Sequence, residues 1–360
     1  MKQASDRSKS QRSTGRITLQ DVARTAGVSP STVSRALRGE RAVDPDLVER
    51  VLLVSDQLGY VPDPAARALA SQRSDHVTIL IPLLSNTLFV DLLEAAQKTL
   101  RIAGFQTLMG VTHYNPIEEE LLLREQLHHR PAGLLITGLD HSQATQKLME
   151  RSKVPCVHLM DLPISDQGDV AALNPISTST EAVPYCVGFR QTDAGEAMTK
   201  YLLLKGKTHI VFAAAQLDPR VMQRLWGWRK ALKQAGVYNA SLEWLNPAPS
   251  SLILGAQMFE QIMKQSPDVD AIFFCNDDLA QGALLAAMRM GVSVPSKVAI
   301  AGFNDLTGSD QMWPPLTTVK TPRAQVGESA AQMLLQLIRG ETPEVPQLDL
   351  GFEIISRQSA

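Results

Sequence analysis

Seven short apolar runs, separated by amphipathic stretches, fill most of this chain after His76 and leave it few folds to choose from. The runs are 77–82, 106–111, 133–137, 154–160, 209–214, 271–275 and 298–303. Between them, stretches such as 89–103, 118–129, 195–205, 220–235 and 279–290 repeat their apolar residues at helical spacing. Strands alternating with helices in this way build parallel α/β architecture. The roughly 280 residues involved are many for one doubly wound sheet, so two lobes with a cleft between them are expected. Ligands of such sheets bind beyond the carboxyl ends of the strands. Polar loops stand there in Ser85-Asn86-Thr87, Met160-Asp161, Asn276-Asp277-Asp278 and Asn304-Asp305.

The first 75 residues obey a different pattern. Residues 17–37 read as a helix-turn-helix. Ala23 is small enough for two helices to cross closely, Gly27 tolerates the positive φ of the turn, and Val33 points back into the crossing. Val22, Ala26, Val28 and Ala36 complete the apolar face. That leaves Ser31, Thr32, Ser34 and Arg35 outward, where such side chains reach base edges and phosphates. A plain amphipathic hairpin would show the same spacing, but charge argues against it. Residues 1–41 hold nine Lys/Arg against three Asp/Glu, a net +6, which by subtraction from the chain's −2 leaves about −8 for the rest. A basic arm on an acidic body implies a nucleic-acid partner.

Residues 1–15, rich in Ser, Lys, Arg and Gln, are expected to be disordered. Residues 16–61 form the helical head, whose third helix starts with Asp44 as cap and Pro45 in the first turn and stops at Gly59. Residues 62–75 hold a short helix over 65–70, too short to stand alone and suited to a switch. The core spans 76–357, with one lobe over about 76–188 and 322–345 and the other over about 189–321 and 346–357. The 44% apolar and 20% charged composition is that of a globular protein, and no run is long enough to span a bilayer. With no leader readable, a cytoplasmic protein is expected. Cys156, Cys186 and Cys275 lie far apart in strand-like stretches and read as buried filler. The histidines form no ligand-spaced pair, and no phosphate-binding glycine loop or nucleophile elbow follows a strand. No metal or cofactor is therefore expected. Residues 165–184 lack periodicity and read as an extended loop.

Along nearly its whole length the chain resembles the lactose-repressor (LacI/GalR) transcription regulators. The matches are Thr18-Leu-Gln-Asp-Val-Ala23, Ala26-Gly-Val-Ser29 and Thr32-Val-Ser-Arg35, then Leu58-Gly-Tyr60 and Ala66-Arg-Ala-Leu69. In the core they are Cys275-Asn-Asp277, Ile300-Ala-Gly-Phe303 and Pro315-Leu-Thr-Thr-Val319. Within the family, the stretches 81–89, 159–161, 187–189 and 348–352 look nearest to the gluconate-operon repressors. The resemblance implies a small all-α helix-turn-helix head plus hinge helix, joined to a two-lobed α/β periplasmic-binding-protein-like core with parallel sheets. It implies a homodimer on a pseudo-palindromic double-stranded DNA operator. Thr18, Pro30, Ser31, Thr32, Ser34 and Arg35 would touch the DNA, as would Arg67 and Leu69 of the hinge. Leu69 would be an apolar wedge in the minor groove, or else a plain packing residue. The lack of terminal heptads favours a dimer over a tetramer.

Carried over in the same way, the effector cleft would use Asn86, Phe89, Asp161, Arg224, Asn276 and Asp277, with Arg190 as a further positive group. Arg224 stands in an Arg-x-x-Gly-aromatic pattern, and a guanidinium holds a carboxylate bidentately. Asp277 reads equally as the cap of the following helix, and Arg190 as an exposed loop charge. Sugar-binding members place an Asp where this chain has Asn304, and an amide does not repel an anion. Together with Arg224 this favours a sugar acid, gluconate or a derivative. The expected function is a repressor whose effector lowers operator affinity. The alternatives are a different sugar or a corepressor response. A solute-binding receptor fits the core but not the head. An enzyme using Asp161, Asp277 and Asp305 lacks a placed nucleophile, metal set or cofactor loop.

Overall fold

The computed structural model describes residues 17–37, 43–61, 74–84, 87–163 and 183–360. The basic tail, the hinge helix with Arg67 and Leu69, Asn86, and nearly all of the 165–184 loop lie outside the described residues. The chain divides into two units, Met1–Ser74 and Asp75–Ala360.

The first unit is a three-helix head: α1 (Leu19–Ala26), α2 (Pro30–Leu37) and α3 (Pro45–Gln57). Thr18 and Asp21 close a capping box on α1, the Asp21 N–H donating to Thr18 Oγ1 at 3.3 Å and the Thr18 N–H to Asp21 Oδ2 at 3.0 Å. Gly27 ends α1 at φ +68°, the left-handed turn that lets α2 double back. Asp44 caps α3 and Pro45 begins it. Val22, Ala23, Ala26, Val33, Ala36 and Val51 close the small core.

The second unit holds two six-stranded sheets. The first is built from β1 (His76–Ile81), β2 (Gln106–Val111), β3 (Gly133–Thr137), β4 (Cys156–Leu159) and β5 (Cys186–Gly188), joined by α4 (Leu88–Ile102), α5 (Pro116–His128) and α6 (Gln143–Ser152). The chain then crosses to α7 (Gln191–Leu204), β6 (Ile210–Ala215), α8 (Pro219–Gln234), β7 (Glu243–Asn246), α9 (Leu252–Gln265), β8 (Ala271–Phe274), α10 (Asp277–Met290), β9 (Ala299–Asn304) and β10 (Thr317–Lys320). It returns to the first lobe with α11 (Arg323–Ile338) and β11 (Gln347–Asp349), and ends in the second with β12 (Glu353–Ile355). Strand order is β11-β5-β4-β3-β1-β2 in one sheet and β12-β10-β9-β8-β6-β7 in the other.

Two details differ from the expectation. Residues 346–357 do not all belong to the second lobe: β11 pairs in parallel with β5, Leu348 opposite Val187, so the last crossing comes after Asp349. And β12 runs antiparallel to β10: the chain enters it straight from β11 of the other sheet through three residues, too few to turn back alongside its neighbours. Cys186 and Cys275 are buried and Cys156 half-buried, and burial pushes all three thiols up to about 12. Among the described residues no helix is long and apolar enough to cross a membrane.

Helix pairs in the core touch backbone to backbone at glycines. A Cβ on Gly227 of α8 would stand 2.1 Å from the Thr192 carbonyl of α7, and one on Gly195 of α7 would stand 2.3 Å from the Arg224 carbonyl. Overpacking of this kind costs about 1–3 kcal/mol. Gly227→Ala is therefore expected to lower the urea midpoint with an unchanged m-value, read by circular dichroism.

Candidate functional site

The carboxyl ends of β1 to β4 and of β6 meet across the two lobes around a cavity of about 230 Å³. Its lining includes Tyr114, Glu119 and Asp161 from the first lobe and Asp218 and Arg220 from the second. The second lobe's share comes from the start of α8. There Asp218 caps the helix, its Oδ1 accepting from the Arg220 N–H at 3.1 Å, and Pro219 sets the first turn.

Arg220 is only 6% exposed. Its Nη2 donates to the Tyr114 hydroxyl at 3.1 Å and its Nε to Asp218 Oδ1 at 3.4 Å, while the buried Nη1 has no partner among the described residues. The Phe89 ring lies 5.9 Å from the guanidinium carbon and the Tyr114 ring 5.7 Å. Burial works against the charge, but Tyr114, Asp218 and Asp161 outweigh it and raise the arginine's pKa. A buried cation with an unspent donor is costly, and an anion on that donor removes the cost.

One turn further along α8, Arg224 is held differently. Its Nε donates to Gln191 Oε1 at 2.8 Å and its Nη1 to the Cys275 carbonyl at 2.6 Å. The guanidinium lies 3.8 Å above the Phe303 ring. Gln191 donates in turn to the Met160 carbonyl at 2.9 Å, strapping the second lobe to the end of β4. Asp161 follows directly: Oδ1 accepts from the Leu162 N–H at 3.0 Å and Oδ2 from Gln223 at 3.3 Å. Burial pushes its carboxyl up to about 6, against the opposing pull of Arg220.

The remaining expected cleft residues separate into two groups. Asn276 and Asn304 adjoin, in the chain, the Cys275 carbonyl and Phe303 ring that hold Arg224. Asn304 is 2% exposed, sits at φ +106°, and leaves its buried Oδ1 without a partner among the described residues. The cap expected of Asp277 falls to Asn276, whose Oδ1 accepts from the Leu279 N–H at 3.1 Å. Asp277 instead accepts from the Leu306 N–H at 2.7 Å, Ser309 Oγ at 2.9 Å and Thr318 Oγ1 at 2.6 Å, so its carboxylate is consumed in anchoring the 305–309 loop. Arg190 is half-exposed and paired with Asp349. Arg220, Tyr114, Gln191 and Gln223 went unread in the sequence. The legible signal for Arg220 was its place four residues before Arg224, which puts both on one helix face.

In the head, α2 exposes Pro30, Ser31 and Arg35, with Thr32 and Ser34 half-buried. The hydroxyls of Ser31 and Thr32 lie 2.8 and 2.7 Å from Ser29 Oγ, which also accepts from the Thr32 N–H at 3.1 Å. Thr18 is exposed and caps α1.

Residues 18–63 match the lacI family of bacterial regulatory proteins, and residues 199–360 match a periplasmic binding protein-like domain. The chain is 47% identical over 351 residues to the HTH-type transcriptional regulator GntR of Pseudomonas aeruginosa, covering 98% of each. The chain belongs to the LacI family. It is a DNA-binding transcriptional regulator, not an enzyme. Its fold is similar to the crystal structure of transcription regulator GntR from Chromobacterium violaceum, at TM-score 0.72 and 46% identity over 79% of this chain and 98% of that one. It is also similar to a LacI family regulator from Silicibacter pomeroyi, at TM-score 0.83 and 31% identity over 95% and 99%.

The elevated Asp161 pKa gives this LacI-family core a pH signature. Between roughly pH 4 and 6 the folded state binds more protons than the unfolded state, so stability falls as pH rises through that window. Asp161→Asn removes the buried charge. It is expected to raise the unfolding temperature at pH 7.5 and leave it unchanged at pH 4, read by scanning calorimetry.

Proposed function

We propose that this regulator is a cytoplasmic, dimeric repressor released from a pseudo-palindromic operator by a small polyhydroxy acid, gluconate or a derivative. The observation that carries the effector class is the buried, unpartnered Nη1 of Arg220 in a cavity between the lobes. A neutral sugar offers that donor a hydroxyl; a carboxylate offers it charge as well, in a place where charge is poorly screened. Arg224, one turn along the same helix, adds a second positive charge beside the cavity and supports the same reading. The cavity is smaller than the roughly 300–1,000 Å³ typical of drug-sized sites, which suits a metabolite of a few carbons.

Recognition of DNA is assigned to Pro30, Ser31 and Arg35 on the exposed face of α2, with Thr18, Thr32 and Ser34 beside them and Arg67 and Leu69 of the hinge. For the dimer, the exposed Leu108 and Met109 on the edge strand β2 and Ile117 and Leu121 on α5 offer apolar area that a second copy would cover. The effector acts only through its different affinity for open and closed arrangements of the lobes, and the factor by which it lowers operator affinity equals the factor by which operator lowers its own.

Fluorescence anisotropy of a selected operator fragment, titrated with protein, is expected to show tight, salt-dependent binding that gluconate reverses. Gluconate tightening the complex would make it a corepressor, and no response would remove it as effector. Arg35→Ala is expected to weaken operator binding about 10- to 100-fold while leaving gluconate binding by titration calorimetry unchanged. Arg220→Gln is expected to do the reverse: gluconate affinity falls at least about 10-fold with operator affinity retained.

A further inference from the structure

Glu119 lines the same cavity as Arg220 and has no part in the reading so far. It is not a surface acid. Its side chain, on α5, is 14% exposed, and Oε1 lies 2.8 Å from Nδ1 of His141, whose own side chain is 2% exposed. Behind His141 stands a second ring: His141 Nε2 is 3.3 Å from Nδ1 of His158, and the two nitrogens lie 3.2 and 2.9 Å from the Gly138 carbonyl.

The partners dictate where protons sit. A carboxylate only accepts, so Nδ1 of His141 carries the proton that faces Glu119, and the Gly138 carbonyl, which also only accepts, holds the two rings through the nitrogens turned towards it. Burial drives His158 down to about 3, which keeps that ring neutral. The two rings therefore form a buried brace at the ends of β3 and β4 that aims one carboxylate and fixes one of its oxygens. The other, Oε2, makes no hydrogen bond among the described residues. Nor do Glu119 and Arg220 pair with each other, although both line the cavity. The cleft thus carries an unspent cationic donor from one lobe and an unspent anionic acceptor from the other. A ligand that satisfies both is acidic at one end and hydroxylated at the other.

We propose that Glu119, braced by His141 and His158, accepts hydrogen bonds from tail hydroxyls of the effector while the effector's carboxylate sits at Arg220, so that the cleft selects for the length and hydroxylation of the acid. This rests on the polyhydroxy-acid reading above. Glu119 is the contact residue and His141 a positioning residue. A carboxylate built to receive hydroxyls rejects an analogue that lacks them, because it is then left desolvated and unpaired.

The test is titration calorimetry of the full-length protein with gluconate and with glycerate, a three-carbon acid that keeps the carboxylate and α-hydroxyl but lacks the tail. Wild type is expected to bind gluconate at least about 100-fold more tightly. In Glu119→Ala, gluconate affinity falls at least about 10-fold and glycerate affinity stays within about twofold, so the ratio collapses. Glu119→Gln, nearly isosteric, shows a smaller fall of the same kind and serves if the alanine variant does not fold. His141→Phe lowers the ratio, and His141→Gln, still able to donate to Glu119, restores part of it. An unchanged ratio in both Glu119 variants overturns the inference, as does an equal loss for both acids. If gluconate binds and Arg220→Gln abolishes this while Glu119 is immaterial, only this inference falls. If wild type binds neither acid yet holds operator, the polyhydroxy-acid reading falls and takes it along.

Discussion

The contact of α7 with α8 at Gly195 and Gly227 decides where charge stands in the core. Two helices approach with carbonyls inside the space a methyl would need, so neither can slide or rotate without collision. That crossing holds the start of α8 against the strand ends, and on it ride Asp218, Arg220, Gln223 and Arg224. It also brings Gln191, in the first turn of α7, between Arg224 and the Met160 carbonyl of the other lobe. The same device recurs elsewhere. Gly255 and Gly282 seat α9 on α10, and Gly327 seats α11 on α4 against the Leu92 carbonyl. One such helix pair stiffens the first lobe and two stiffen the second.

Two buried arginines one helical turn apart repel, and the structure resolves this in unlike ways. Arg220 has acids and a phenol about it, and its pKa is raised. Arg224 has neutral acceptors and an aromatic face; burial lowers its pKa. The first keeps a spare donor and the second has two of its N–H groups committed. This asymmetry makes Arg220 the side chain that gains most from an arriving anion, whereas Arg224 chiefly knits α7, α8 and the end of β8. The residue that a sequence pattern marks and the residue that electrostatics marks are neighbours, not the same.

What was legible in the sequence follows from how local its cause is. Buried parallel strands are apolar on both faces, so β1, β3, β6, β8 and β9 announce themselves within a residue or two. β5, β11 and β12 are three residues long, too short for a period, and their places depend on partners far along the chain. The head was legible down to the Asp44 cap and the Gly27 turn because caps and turns are local chemistry. In Asn276-Asp277-Asp278 any of three side chains is able to cap. The choice is made by Leu306, Ser309 and Thr318, which claim Asp277 from up to 41 residues away and leave the cap to Asn276. Arg220 acquires its meaning from Tyr114, Phe89 and Asp161 in the other lobe as well as from its neighbour Asp218.

Arg190 shows what a misplaced charge is for. The chain passes between lobes three times, at 188–191, 320–323 and 349–353. Arg190 stands in the first passage and its partner Asp349 opens the third, while Phe189 and Phe352 of the same two passages lie 6.4 Å apart. Arg323 in the second donates to Asp91 of α4 at 2.9 Å and to the carbonyls of Asn304 and Asp305 in the other lobe. A half-exposed pair such as Arg190–Asp349 contributes at most about 1 kcal/mol, so stability is not its main effect. Its effect is geometric. Closure of the cleft around the proposed effector has to bend the chain at all three passages; the Arg190–Asp349 and Phe189–Phe352 contacts tie the first bend to the third, and Arg323 ties the second to both lobes. Rigid lobes on coupled hinges have few arrangements, and a ligand that distinguishes two of them has its binding energy converted into a change of state instead of being dispersed in local motion.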